Sequence, residues 1–214
     1  MEESTPKEKV LKNVRNALIS KTGMPFPDLE PDIDFYQEHD ESLEVAFAEA
    51  FTAVAGKFVY CESRQELQEN LKIVLQSLNK EFVYCFDEKL GTLMKEAGLD
   101  YIKDPEDFLK AEIGITACEY LIARLGSIMV SSAQTSGRRL NVFPETHIII
   151  ADTGQLVGDL KDALQKIREK YEGKLPSMIS VITGPSRTAD IEKTLVMGAH
   201  GPRSLYLFLV EGLI

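Results

Sequence analysis

The sequence predicts an α/β fold, a three-layer arrangement in which a sheet carries helices on both faces, preceded by an N-terminal helical lead-in. Three observations support this. From residue 43 onward, short β-branched or aromatic runs alternate with amphipathic helical stripes. The run THIIIA at 146–151 is almost continuously apolar, as expected of a strand covered on both faces. With 214 residues, 44% of them hydrophobic, the chain suits one sizeable core and is short for two domains of roughly 100–200 residues each. Residues 1–40 therefore read as a helix and a Pro-rich connector, and residues 41–214 as the α/β domain.

Val10, Leu11, Val14 and Leu18 recur at helical spacing, so the chain opens with an amphipathic helix that ends near Gly23. Pro25, Pro27 and Pro31 then lie among acids and mark residues 24–39 as the connector. A second stripe, Leu43, Ala46, Phe47, Ala50, Phe51 and Val54, stops at Gly56 and feeds the strand KFVYC at 57–61. Ser63 and Glu66 have capping-box spacing and open a helix with Leu67, Leu71, Val74, Leu75 and Leu78 on one face. The strand at 81–86 completes a βαβ unit. It repeats the word FVYC, which suggests that Cys61 and Cys85 end adjacent strands.

Asp87 caps a short helix running to Gly98, and the segment after Asp104 and Pro105 leads to a strand at 112–116. Residues 120–132 form two apolar runs broken at Gly126, as in a hairpin or bulged strand. Beyond the strand at 146–151, Leu156, Leu160, Ala163, Leu164 and Ile167 predict a helix, and 178–182 and 205–210 the last two strands. In such a fold a small-molecule site is expected at the carboxyl edge of the sheet.

A formal charge of −10 argues against a nucleic-acid backbone or an anionic membrane as the main partner. The acidic N-terminus lacks an apolar signal region, and no apolar run approaches the ~20 residues that cross a bilayer, so a cytoplasmic protein is expected. Cys61, Cys85 and Cys118 offer no C-x-x-C pair, so no zinc or iron–sulfur cradle is expected. No flavin or nicotinamide fingerprint is recognisable either.

Three loops are candidates for ligand chemistry. TGPSRTADIE, residues 183–192, follows a strand and is expected to open a short helix. Its backbone N–H groups, with Gly184, Ser186, Arg187, Thr188 and Asp190, would then converge on an oxyanion or phosphate. Equally, Asp190 or Thr188 caps the helix while Arg187 pairs with an acid. MGAHGPR, residues 197–203, places His200 and Gly201 where only flexible backbone approaches a ligand, and His200 reads as a binding residue or a structural hydrogen-bonder. SSAQTSGRR, residues 131–139, is a flexible lid with Arg138, or a solvated loop. Glu112, Glu119, Asp152, Asp190 and Glu192 show no spacing that makes an acid–base dyad.

TGPSRTADIE and GAHGPR (198–203) resemble, nearly letter for letter, the C-terminal motif of the LUD domain family, whose type is lactate utilization protein C. The likeness continues through GITACE (114–119), ARLGS (123–127) and FPETH (143–147) and covers residues 45–210. It adds Thr116, Gly126 and Ser127 to the candidate ligand-binding residues. Where the family usually shows Ala-Glu-Thr-Gly-Ser/Thr, this chain has Arg124 and Leu125. The resemblance implies a NagB/RpiA/CoA-transferase-like sheet and a role in L-lactate oxidation beside partner subunits that carry iron–sulfur clusters. This chain would be the cluster-free member. The residues alone leave open an independent enzyme or sensor for a phosphate, carboxylate or coenzyme A-like ligand, and homo-oligomers of either kind.

Overall fold

A computed structural model describes residues 5–19, 41–104, 110–191 and 194–213. The chain divides into two units, Met1–Glu38 and His39–Ile214. In the first, helix α1 spans Pro6–Ile19 and its apolar stripe is exposed. The end of that helix near Gly23, the connector at 24–39 and the segment at 105–109 lie outside the described residues.

The second unit is built on a five-stranded parallel sheet in the order β1-β11-β6-β3-β2. Its strands are β1 (Lys57–Cys61), β2 (Val83–Cys85), β3 (Ile113–Thr116), β6 (Thr146–Asp152) and β11 (Ser204–Val210). The two seven-residue strands β6 and β11 take the centre, because their side chains are apolar on both faces. Ile148, Ile150, Phe208 and Val210 join one core cluster, and Ile149, Ala151, Leu205, Leu207 and Leu209 join another. β1, half-exposed along its length, is an edge.

That order corrects the reading of the FVYC repeat. β1 and β2 run parallel but lie at opposite edges with three strands between them, so Cys61 and Cys85 are not neighbours. Strand pairing is non-local, and a repeated word cannot encode it. Both thiols are buried, and desolvation pushes Cys85 up to about 11, which keeps it protonated and unreactive.

Helices α3 (Arg64–Leu78) and α4 (Glu88–Glu96) cover one face through Leu67, Leu71, Leu90, Leu93 and Met94. Ser63 accepts from the Glu66 N–H, while the Glu66 carboxylate reaches the N–H of Glu62 rather than that of Ser63. Asp87 caps α4 by accepting from Lys89 and Leu90.

The other face is shared by α2 (Leu43–Ala53) and a second sheet, ordered β7-β4-β5-β8. Its strands are β4 (Tyr120–Ile122), β5 (Ser127–Ser131), β7 (Leu156–Val157) and β8 (Ile179–Ile182). β4 and β5 are antiparallel across Gly126, as the broken apolar runs predicted. Leu156 belongs to β7 and not to the following helix. A capping box between Asp152 and Gln155 closes a turn there, and α5 (Leu160–Lys170) starts only after its own cap, Asp159. α5 packs Ala163 and Ile167 on the outer side of the second sheet. Among the described residues no helix is long and apolar enough to cross a membrane.

Two charged residues fasten α5. Arg124 donates from Nε and Nη2 to both carboxylate oxygens of Asp159. The guanidinium holds that carboxyl below its ordinary pKa. Glu119 is buried and accepts from Lys170 Nζ at 2.7 Å, Ser131 Oγ at 2.6 Å and Tyr171 Oη at 2.8 Å. Burial alone raises its pKa, but the bonds from Lys170, Ser131 and Tyr171 outweigh it and hold the carboxyl low. Because Lys170 is half exposed, its ion pair contributes little, and the larger loss on truncation comes from the buried hydroxyl of Ser131. Glu119→Ala is expected to lower unfolding free energy by about 2 kcal/mol in urea titrations. An unchanged midpoint would show that the network is energetically idle.

Candidate functional site

The long segments of the second unit precede β6 and β11 rather than follow them, and they carry the candidate loops to the amino ends of those strands. Ser186 N–H donates to the Pro202 carbonyl at 2.8 Å and Gly198 N–H to the Ser186 carbonyl at 2.9 Å, which ties the two glycine loops together. Arg203 and Ser204 N–H both donate to the Glu145 carbonyl, just before β6. The site is therefore at the amino end of the sheet, opposite to the carboxyl edge expected from doubly wound folds. The inserted second sheet and its connections put the longest loops there.

A second correction concerns the segment after Gly184. It does not open a helix: Arg187–Ile191 is strand β9, paired antiparallel with β10 (Thr194–Met197). Among the described residues no helix starts at this segment to hold an anion, and the Ser186 N–H is already committed to Pro202. Gly184 has φ +74, and a Cβ there would lie 2.3 Å from the Val54 carbonyl oxygen. Its role is close approach to the end of α2.

Beneath the joined loops lies a cavity of about 190 Å³ between β6 and β11 on one side and β5 and β8 on the other. Val130, Met178, Ile182 and Leu205 give it apolar walls, and residues 184–186 and 200–202 close one side. Of the candidate residues, Arg138, Gly184, Ser186, His200 and Gly201 line it. Arg138 is exposed and donates from Nη2 to the neutral Ser177 Oγ at 2.6 Å, so its charge has no carboxylate partner among the described residues.

The other candidates sit elsewhere. Arg187 and Thr188 are on β9 and do not line the cavity, and the side chain of Asp190 lies outside the described residues. Gly126, φ +56, is pressed against the backbone of Ala50 and Phe51 in α2. Ser127 shares a hydrogen bond with Thr183 at 2.8 Å. Thr116 approaches the cavity only through His147, its Oγ1 lying 2.8 Å from His147 Nε2.

Among the lining residues not anticipated from the sequence are His147 and Asn141. His147 is fully buried on β6 and faces the side of Ile149 and Ala151, by strand alternation. Desolvation pushes its pKa down to about 3, so the ring is neutral at ordinary pH. Its Nδ1 and the Oδ1 of Asn141 are the buried side-chain polar atoms without a partner among the described residues. The available signal was a polar ring at the head of THIIIA, a run that otherwise reads as wholly buried. A shallower cavity of about 480 Å³ lies across Gly201, lined by Lys110, Glu112, Glu145 and Arg203. Both acids there already pair with Lys80. No group of three His, Cys, Asp or Glu residues is arranged to hold a metal among the described residues.

Residues 74–210 match the family model of the LUD domain. This chain belongs to the LUD domain family. Lactate utilization protein C of Shouchella clausii is 37% identical over 184 residues, which cover 80% of each chain. Lactate utilization protein C of Anoxybacillus flavithermus is 33% identical over 135 residues, 63% of this chain and 56% of that protein. The fold of this LUD domain is shared with the crystal structure of a DUF162 family protein from Deinococcus radiodurans. The two superpose with a TM-score of 0.60 at 19% identity, over 78% of this chain and 96% of the other.

Proposed function

We propose that this LUD-domain protein serves lactate utilization, as a cluster-free subunit or accessory protein of an L-lactate-oxidising system. In that reading the iron–sulfur clusters reside in partner subunits, and this chain holds a small carboxylate in the cavity beneath its glycine loops. The observation that carries it is the 37% identity, over four-fifths of both chains, to a protein named lactate utilization protein C. The cavity suits the reading, because it is smaller than the roughly 300–1,000 Å³ of drug-sized sites and has one arginine with a neutral partner at its edge.

Purification of the tagged chain from native extract is expected to bring down cluster-bearing partners, visible by their absorbance. Repeated isolation without them removes the subunit reading. Binding is tested separately. A charge-assisted hydrogen bond contributes about 1.5–3 kcal/mol, so Arg138→Ala is expected to weaken L-lactate binding in calorimetry at least about tenfold. Equal affinity in the variant takes Arg138 out of the site.

A further inference from the structure

We propose that α1 of one copy docks on the second unit of another copy, over the acidic and partly apolar patch around Tyr60, so that the chain assembles as a reciprocal dimer.

The need for a partner arises in α1 itself. Val10, Leu11, Val14 and Leu18 stand three and four positions apart and share one stripe, each more than half exposed, and no residue of the helix is buried. An isolated helix of 14 residues is marginal in water, and helices in proteins gain most of their stability by packing an apolar face. Within one chain that packing is missing, so another molecule supplies it.

Charge decides which molecule. Lys7, Lys9, Lys12 and Arg15 against the single acid Glu8 give α1 a net +3, while the whole chain carries −10, which leaves −13 for the rest. A second α1 would set like charges against each other, whereas an acidic surface attracts the helix. The second unit offers such a surface at β1, an open edge of the main sheet. At the opposite edge β2 is covered, because Ile102 accepts from the Cys85 N–H and donates to the Val83 carbonyl. Among the described residues β1 has no such cover, and open edges attract partners.

Tyr60 is exposed on β1 and donates from Oη to Glu211 Oε2 at 3.3 Å. Partial desolvation, and after it the carboxylates of Glu211, Glu44 and Glu62, raise its pKa, so three acids lie within electrostatic reach of one phenol. Leu43 and Val45, exposed on either side of Glu44 in the first turn of α2, add hydrocarbon. In the dimer Leu11, Val14 and Leu18 cover Leu43, Val45 and Tyr60. Arg15, which borders the stripe, and Lys7, one turn before Leu11, meet the carboxylates. Each copy gives one helix and receives one, which closes the assembly at two.

The test is sedimentation of the full chain over a range of concentrations. A dimer that weakens as salt is added is expected. Val14→Asp is expected to leave a monomer whose second unit unfolds as before, because α1 buries nothing. Reversing charge on the helix, Lys7→Glu with Arg15→Glu, is expected to weaken the dimer at least about tenfold, as is Glu62→Lys with Glu211→Lys, and the two reversals together are expected to restore it. A monomer at every concentration overturns the proposal, and so does a dimer that Val14→Asp leaves intact. A dimer lost in Val14→Asp but indifferent to Glu62→Lys with Glu211→Lys places α1 on another surface and overturns the docking face. Should that carboxylate variant not fold, the reversal on α1 still decides, because a dimer of unchanged affinity there removes the charge argument. A monomer that sediments with phosphatidylglycerol vesicles gives α1 to a lipid surface instead, and the proposal falls.

Discussion

Replacing Gly126 with alanine is expected to destabilise the second unit by about 2–5 kcal/mol, a large share of the roughly 5–15 kcal/mol typical of a domain. Two independent penalties combine. The residue sits at φ +56, where an L side chain costs about 1–2 kcal/mol. Its Cβ would also lie 2.2 Å from the Phe51 nitrogen and 2.3 Å from the Ala50 carbonyl carbon. Those are backbone atoms of α2, which cannot rotate aside, so the helix must shift away from the second sheet. Overpacking of that kind costs about 1–3 kcal/mol, occasionally more. Gly137 isolates the first penalty, since it has φ +60 and open space around its would-be Cβ. Gly137→Ala is expected to cost only about 1–2 kcal/mol. Thermal unfolding of the two variants checks this, with a midpoint fall of about 10 °C or more for Gly126. Equal losses would mean that α2 yields without strain.

The contrast between those glycines shows what was readable from the chain and what was not. Ser63 and Asp87 announced their helices, because a cap is local chemistry, and the apolar run of β6 announced a strand buried on both faces. Gly126 was legible as a break between two apolar runs, but its contact with α2 joins residues about 75 positions apart, a relation that spacing does not encode. Strand order, the second sheet and the placement of the loops at the amino ends are non-local in the same way.

The cavity divides along that line. Arg138, Gly184, Ser186, His200 and Gly201 stand in loops whose small and charged residues mark them as approachable, and the fold brings all five to one cavity. His147 and Asn141 are polar groups whose significance arises only from burial and lost partners. The β9 hairpin misled for another reason. Local propensity in RTADI permits both a helix opening and a strand, and pairing with β10 decides between them.

Acid is expected to begin destabilising the protein through His147 before ordinary carboxylates titrate. In the folded chain burial holds the imidazole neutral down to a pKa of about 3, whereas its ordinary value is 6.5. Below pH 6.5 the unfolded chain takes up a proton that the folded chain refuses, so the unfolded state gains. The stability associated with the neutral ring is complete above pH 6.5 and declines as pH falls toward the folded pKa. The limiting slope for one proton is about 1.4 kcal/mol per pH unit, which amounts to about 2 kcal/mol between pH 6.5 and 5 at most. Glu119 acts with the same sign at lower pH, because its depressed carboxyl lends stability that is lost only as its own proton binds. Urea unfolding at intervals from pH 8 to 4 separates the two. His147→Gln, which cannot protonate, is expected to flatten the curve between pH 6.5 and 5 and to leave the steeper acid limb. A variant whose slope in that window equals that of the unaltered protein would place the titrating group elsewhere.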